Sequence, residues 1–224
     1  MFKIDKKISA EIIKLTRTIR CNSLVISGSL YYVKKDERLK EYLGYKLARL
    51  CGLNCFKYKV LKINGTFYII SRDINETLSF NSASTLVGAH HEIYLIIEDL
   101  KKLPFTTNNT IQDFLKMYLF DMLFINGDRH YRNWGLVEID NEYRVIIFDN
   151  ENIFSIFLPY IRFSNTIFSN TSKSYLSRIY EDLREFLKKC PTEYLAELYK
   201  MIDKAEIENV TAIIKTIEEE NDMQ

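Results

Sequence analysis

From residue 23 to residue 34 the chain reads SLVISGSLYYVK, two short runs rich in Val, Ile, Leu and Tyr around Ser-Gly-Ser. That pattern predicts two strands joined by a tight turn, with glycine exposing backbone N–H groups. From Glu37 the apolar period lengthens. Leu39, Leu43, Leu47 and Leu50 recur at helical spacing and Gly52 supplies the stop, so one amphipathic helix is expected. Glu41 falls roughly opposite that leucine stripe, as suits a surface carboxylate or one aimed into a cleft. FKYKVLKI and TFYIIS then flank Asn64-Gly65, a pair that favours a type I′ turn, and 53–71 reads as a hairpin.

The cleanest helical stripe runs from Thr110 to Phe124, with Ile111, Phe114, Leu115, Tyr118, Leu119, Met122 and Leu123 on one face. Thr110 is expected to cap it, Asp113 to act as the acidic partner of a capping box, and Gly127 to end it. Two short strands, Trp134 to Val137 and Tyr143 to Phe148, follow around Asp140-Asn141-Glu142. From Ser172, the stretches SKSYLSRIYEDLREFLKK, TEYLAELYKMI and ENVTAIIKTIEEE read as three amphipathic helices. The aromatic run IFSIFLPYIRFSNTIF at 153–168 has no clear period, and packing is favoured over a partner surface. The front half is thus mixed and the back half helical.

Composition narrows the class. The 224 residues are 47% hydrophobic and 27% charged, enough for one large domain or two small lobes. Lys plus Arg number 31 against 30 acidic residues, a formal charge of +1, so no global attraction to nucleic acid or to an anionic membrane is expected. No segment offers the roughly 18 uncharged apolar residues of a membrane span, and the charged N-terminus lacks an apolar leader, so a cytoplasmic protein is expected. Cys21, Cys51, Cys55 and Cys190 have no paired CxxC spacing, and zinc is not expected. For His90 and His91, ahead of the apolar run IYLII, a turn or strand-edge position is favoured over ligation.

The chemistry concentrates in INGDRHYRNWGL at 125–136 and in VIIFDNENIF from Val145. Both sit at the ends of rigid elements. Phosphoryl transfer from ATP asks for a carboxylate near the acceptor hydroxyl, oxygen ligands for magnesium, a lysine on the phosphates and a backbone-rich turn above them. Asp128 suits the first role, and Asn133 and Asp149 the second. Lys34, positioned by Glu41, suits the third, and Ser27-Gly28-Ser29 the fourth. Each residue alone is commonplace, since single charges are most often solvated and Asp128 could simply cap a turn. The order is more specific: strand, turn, strand-Lys, helix-Glu, hairpin, helix, DxxxxN loop, strand-Asp.

With these residues in place, GDRHYRNWG and the downstream IIFDN resemble the catalytic and metal-binding segments of HipA-like kinases, the toxin kinases of bacterial toxin–antitoxin systems. EYLGYKLARLCGL is similar to that family's helix, and the resemblance extends over about residues 23–150. It implies an α+β, two-lobed protein-kinase-like fold related to phosphoinositide kinases, with a small mixed N-lobe over 1–100 and a mainly helical C-lobe over 101–224. It implies ATP and Mg²⁺ as cofactors, Asp128 as catalytic base, Asn133 and Asp149 on the metal, and Lys34 on the phosphates. Ile69, Ile70 and Ser71, leading to Asp73, would lie at the hinge beside adenine. Arg129 and His130 would hold the loop and stabilise charge. The implied reaction is phosphorylation of a Ser or Thr hydroxyl of a protein, with Ser27 and Ser29 as candidates for autophosphorylation and an antitoxin as a candidate partner. A small-molecule or lipid kinase, and a catalytically silent nucleotide-binding module, are the alternatives.

Overall fold

The computed structural model of the chain describes residues 6–16, 21–36, 38–88, 90, 93–124, 126–153 and 192–204. The aromatic run from 154 to 168, the helices expected from 172 and from 208, His91 and Cys190 lie outside the described residues.

Strands β1 (Cys21–Ile26) and β2 (Ser29–Lys35) pair antiparallel with Ile26 opposite Ser29, which leaves Ser27-Gly28 as the turn. Their φ angles of 52° and 81° are the left-handed pair of a type I′ turn, the geometry that matches strand twist. The same device recurs at Asn64-Gly65, between β4 (Lys59–Ile63) and β5 (Thr66–Arg72), and at Asp140-Asn141. The first sheet has the order β1-β2-β5-β4. On one face Leu24, Ile26, Val33, Ile63, Tyr68 and Ile70 bury together with Ile12 of helix α1 (Lys6–Leu15). Strand alternation puts Cys21, Ser23 and Val25 of β1, Tyr32 and Lys34 of β2, and Ile69 and Ser71 of β5 on the opposite face.

The hairpin expected over 53–71 is confined to β4 and β5. Asn54–Cys55 instead form β3, which runs parallel to Ile146–Ile147 in a second sheet. Asn54 fixes that pairing by donating its amide to Val145 O and to Asp113, each at 3.2 Å. A strand of two residues carries no readable period, so only the tertiary contact defines it. The second sheet has the order β3-β8-β7-β6, with β6 at Phe80–Ser82, β7 at Trp134–Ile139 and β8 at Glu142–Ile147.

Helix α2 (Lys40–Leu50) carries Glu41; the short α3 (Ala83–Leu86) and α4 (Ile93–Lys101) follow β6. The apolar run from Ile93 is therefore helical, and the His90 ring nitrogen Nε2 lies 2.9 Å from Asp99 of α4. Helix α5 (Asn108–Leu123) begins earlier than its stripe suggests, because Thr107 is the cap. Thr107 Oγ1 accepts from Asn109 N at 3.1 Å, and Thr110 closes the box by accepting from Thr107 N at 3.0 Å. The Thr110 hydroxyl also donates to Tyr143 O at 2.5 Å, while Asp113 faces Arg144 at 2.7 and 3.0 Å instead of the helix start. Trp134, Leu136, Val145 and Ile147 pack on Phe114 and Leu115 of α5, with Leu47 of α2 and Leu198 of α6 (Thr192–Lys204) in the same core. That core anchors α2, α5 and the β7–β8 hairpin as one support.

Candidate functional site

Lys34, next to last in β2, lies on the face turned from α1, and its ammonium meets carboxylates from two distant parts of the chain. It donates to Asp149 Oδ1, lies 3.1 Å from Glu151 and 3.5 Å from Glu41. Burial works against the Lys34 charge, but Glu41, Asp149 and Glu151 outweigh it and hold the amine protonated above its ordinary range. Glu41, which the helical wheel left as either surface or cleft, has no solvent exposure. Burial pushes its carboxyl up to about 7, with Lys34 pulling it back. Burial also raises the neighbouring Tyr58 phenol, an effect that Glu41 reinforces.

Gly44 explains how α2 comes so near. A Cβ there would stand 2.5 Å from Asn150 O and 2.6 Å from its Cβ, so only glycine lets the helix close on the segment behind Asp149. Asp149 itself has a φ of 54°, a left-handed conformation that costs a β-carbon residue about 1 kcal/mol or more. The surrounding contacts hold it there.

Those contacts converge on Arg129, which is 1% exposed. Its guanidinium donates to both oxygens of Asp121 at 3.0 and 3.2 Å, to Asn133 O at 2.6 Å, to Phe148 O at 3.0 Å and to the Asn150 side chain. One buried side chain thus ties α5, the 128–133 loop and the Asp149 segment together. Phe148 N adds a direct link to Asn133 O at 3.1 Å. Within the loop, Asn133 Nδ2 donates to Asp128 O at 2.8 Å, and Asp128 Oδ2 accepts from Asn152 Nδ2 at 3.1 Å. His130 turns inward on the loop, its Nδ1 accepting from Arg132 N at 3.1 Å.

The structure therefore brings Lys34, Glu41 and Asp149 into contact and ties Asp128, Asn133 and Arg129 to the same segment. Other expected residues are placed differently. Ser27-Gly28-Ser29 is the far end of the hairpin from Lys34, whose cross-strand partner is Cys21. Five residues of strand separate Ser29 from Lys34, about 17 Å. The turn sits against the β5 end instead, where Arg72 donates to Ser29 Oγ at 3.0 Å and Asp73 N donates to Leu30 O at 2.9 Å. The sequence order had placed a glycine turn before a strand lysine, but the strand length carries it away. Ile69 and Ser71 share the Lys34 face, whereas Ile70 points into the α1 cluster. A cavity of about 320 Å³ adjoins this linker, walled by Ser71 and Asp73, with Phe56, Val137 and Ile146 among its apolar surface.

Glu151, Asn150, Gly44 and Asp121 belong to the site but were not selected from the sequence. Asp121 alone had a signal, a carboxylate within a stripe that is otherwise apolar. For a divalent cation, Glu41, Asp149 and Glu151 present oxygens that all lie within 4.8 Å of one another. These hard donors, with the Asn133 amide oxygen, suit magnesium.

Among curated proteins no sequence matches the chain. Among solved structures, the Helicobacter pylori proinflammatory kinase CtkA is similar over 88% of this chain and 94% of its own, with 16% identity and a TM-score of 0.55. HipA of Shewanella oneidensis MR-1, solved with HipB and operator DNA, gives 13% identity and a TM-score of 0.49 over 89% of this chain and 58% of its own. WaaP in complex with acyl carrier protein gives 12% identity and a TM-score of 0.41 over 88% of this chain and 91% of its own. The first likeness shows a fold shared with a kinase. The HipA-like C-terminal domain matches residues 4–146, well over half of the sequence. The chain belongs to the HipA-like C-terminal domain family.

Proposed function

We propose that the protein is an ATP- and Mg²⁺-dependent kinase that transfers the γ-phosphoryl group to a Ser or Thr hydroxyl of a protein, as a HipA-like toxin does. The observation that carries this reading is the meeting of Lys34 with Glu41 and Asp149, beside the Arg129 guanidinium that ties the Asn133 loop to Phe148, next to Asp149. Family membership supports it, and an antitoxin partner belongs to the same reading. No described helix is long and apolar enough to cross a membrane, and cytoplasmic action is part of the proposal.

In this mechanism Lys34 leaves Asp149 and Glu151 to meet the phosphates, while Glu41 keeps it oriented. Asp149 and Asn133 would hold the Mg²⁺, which when bound supplies positive charge at the β- and γ-phosphates. Asp128 takes the proton of the acceptor hydroxyl as its oxygen bonds to the γ-phosphorus and the bond to the β–γ bridging oxygen breaks. ADP leaves with the electron pair. Asn152 keeps the Asp128 carboxylate directed. The adenine would lie against the linker at Ile69 to Asp73, where the cavity has an apolar floor. Ser27 and Ser29 lie about 17 Å along the strand from Lys34, so a phosphate reaching them would come from a second molecule.

The test is incubation with Mg²⁺ and γ-labelled ATP, wild type beside Asp128→Asn and Asp149→Asn, with peptides read by mass spectrometry. Asp128→Asn should lower transfer roughly 10²- to 10⁴-fold while keeping nucleotide affinity. Transfer to a lipid or metabolite extract but to no protein would favour the small-molecule alternative. Nucleotide binding with no transfer to any acceptor would favour the silent module, and no nucleotide binding at all would end the kinase reading.

A further inference from the structure

We propose that Glu151 is a positioning residue that makes nucleotide binding conditional on a divalent cation; this rests on the kinase reading above. The argument begins with charge. The Lys34 ammonium is one positive charge facing the carboxylates of Glu41, Asp149 and Glu151. Glu41 is the fully buried member. Asp149 and Glu151 lie at the more open side, with side-chain exposures of 37% and 12%. A polyphosphate approaching Lys34 must therefore displace these two anions from the ammonium and then lie beside them.

Asp149 and Asn133 are the pair that would hold a metal between protein and phosphate. Glu151 adds a second anion at the same ammonium, two residues further along the chain. Its position is built in. Between them Asn150 is fully buried, its side chain held by Arg129 and its backbone pressed against Gly44. With Asn150 fixed inward, its neighbours on either side are both presented to Lys34, and little side-chain freedom remains to be lost when the ion pair forms. Glu151 holds Lys34 at 3.1 Å. Without a divalent cation it competes with the incoming phosphates for the ammonium; with one, its charge is neutralised and Lys34 is released. Glu151 thus works through Lys34, holding the ammonium back from the metal-free nucleotide.

The experiment is fluorescence titration of the full chain with N-methylanthraniloyl-ATP in EDTA and again in Mg²⁺, for wild type, Glu151→Gln, Lys34→Met and the double variant. Glu151→Gln is expected to tighten metal-free binding about 3- to 10-fold, the scale of one partly exposed ion pair. In Mg²⁺, where the Glu151 carboxylate faces the cation, the variant should bind no tighter than wild type, so that the ratio of the two dissociation constants shrinks. In the Lys34→Met background the gain should disappear. Equal weakening in both media would mean that Glu151 only supports the fold and would overturn the proposal, as would a gain that persists without Lys34. Wild type that binds nucleotide with no dependence on the metal overturns this inference alone. Wild type that binds in neither medium overturns the kinase reading, and this inference with it.

Discussion

Gly44 of α2 and Asn150 behind Asp149 approach so closely that a methyl group on Gly44 would stand 2.5 Å from the Asn150 carbonyl oxygen. In an open helix, Gly→Ala stabilises by about 1 kcal/mol. Here the added carbon meets backbone that is held from its other side by Arg129. Gly44→Ala is expected to destabilise by about 1–3 kcal/mol, the usual range for overpacking. Thermal unfolding checks the sign: a raised midpoint would mean that α2 does not lean on Asn150. Because Glu41 rides on the same helix, the variant should also loosen the Lys34–Glu41 contact and weaken nucleotide binding.

The Arg129–Asp121 pair is buried on both sides, with side-chain exposures of 1% and 6%. Burial raises the Asp121 carboxyl and Arg129 opposes it. Removing one partner strands a buried charge. Asp121→Ala should therefore cost about 3–5 kcal/mol, measurable by urea denaturation. Asp121→Asn should cost less, because its amide oxygen can still accept from the guanidinium. If the two variants lost equal stability, hydrogen bonding to Arg129 would not be what Asp121 supplies.

Cys21 and Cys55 are both reduced thiols, but only Cys21 is exposed, directly across the strand pair from Lys34. Burial pushes the Cys55 thiol up to about 12. At pH 8 its thiolate is then roughly one part in ten thousand, and alkylation requires the thiolate. Partial desolvation raises the Cys21 thiol as well, with Lys34 opposing it. Iodoacetamide at pH 8 should label Cys21 well before Cys55, and Mg²⁺ with ATP should slow the Cys21 reaction. Peptide mass spectrometry follows both. Labelling of Cys55 first would contradict the assigned burial, and an unprotected Cys21 would remove the nucleotide from the Lys34 face.

The sequence by itself determined many of the regular elements and the residue types from which a site could be drawn. Leucine spacing defined α2, Asn64-Gly65 defined the turn between β4 and β5, and the alternating runs defined β1, β2, β7 and β8, because each of these signals lies within one short window. Lys34, Glu41, Asp128, Asn133 and Asp149 were legible as residue types in a meaningful order. Tertiary structure decided which of them meet. It turned Glu41 from an ambiguous helix position into the buried partner of Lys34, it carried Ser27-Gly28-Ser29 to the opposite end of β2, and it joined Asn54–Cys55 to a strand ninety residues away. Glu151, Gly44 and Asp121 entered the site only through contacts: an ion pair, a missing Cβ and a buried counter-charge. Apart from the place of Asp121 among the apolar residues of α5, none of these leaves a signal in the sequence. Local pattern is fixed by backbone geometry over a few residues, whereas charge pairing and close approach depend on how distant segments pack, and that packing made the site.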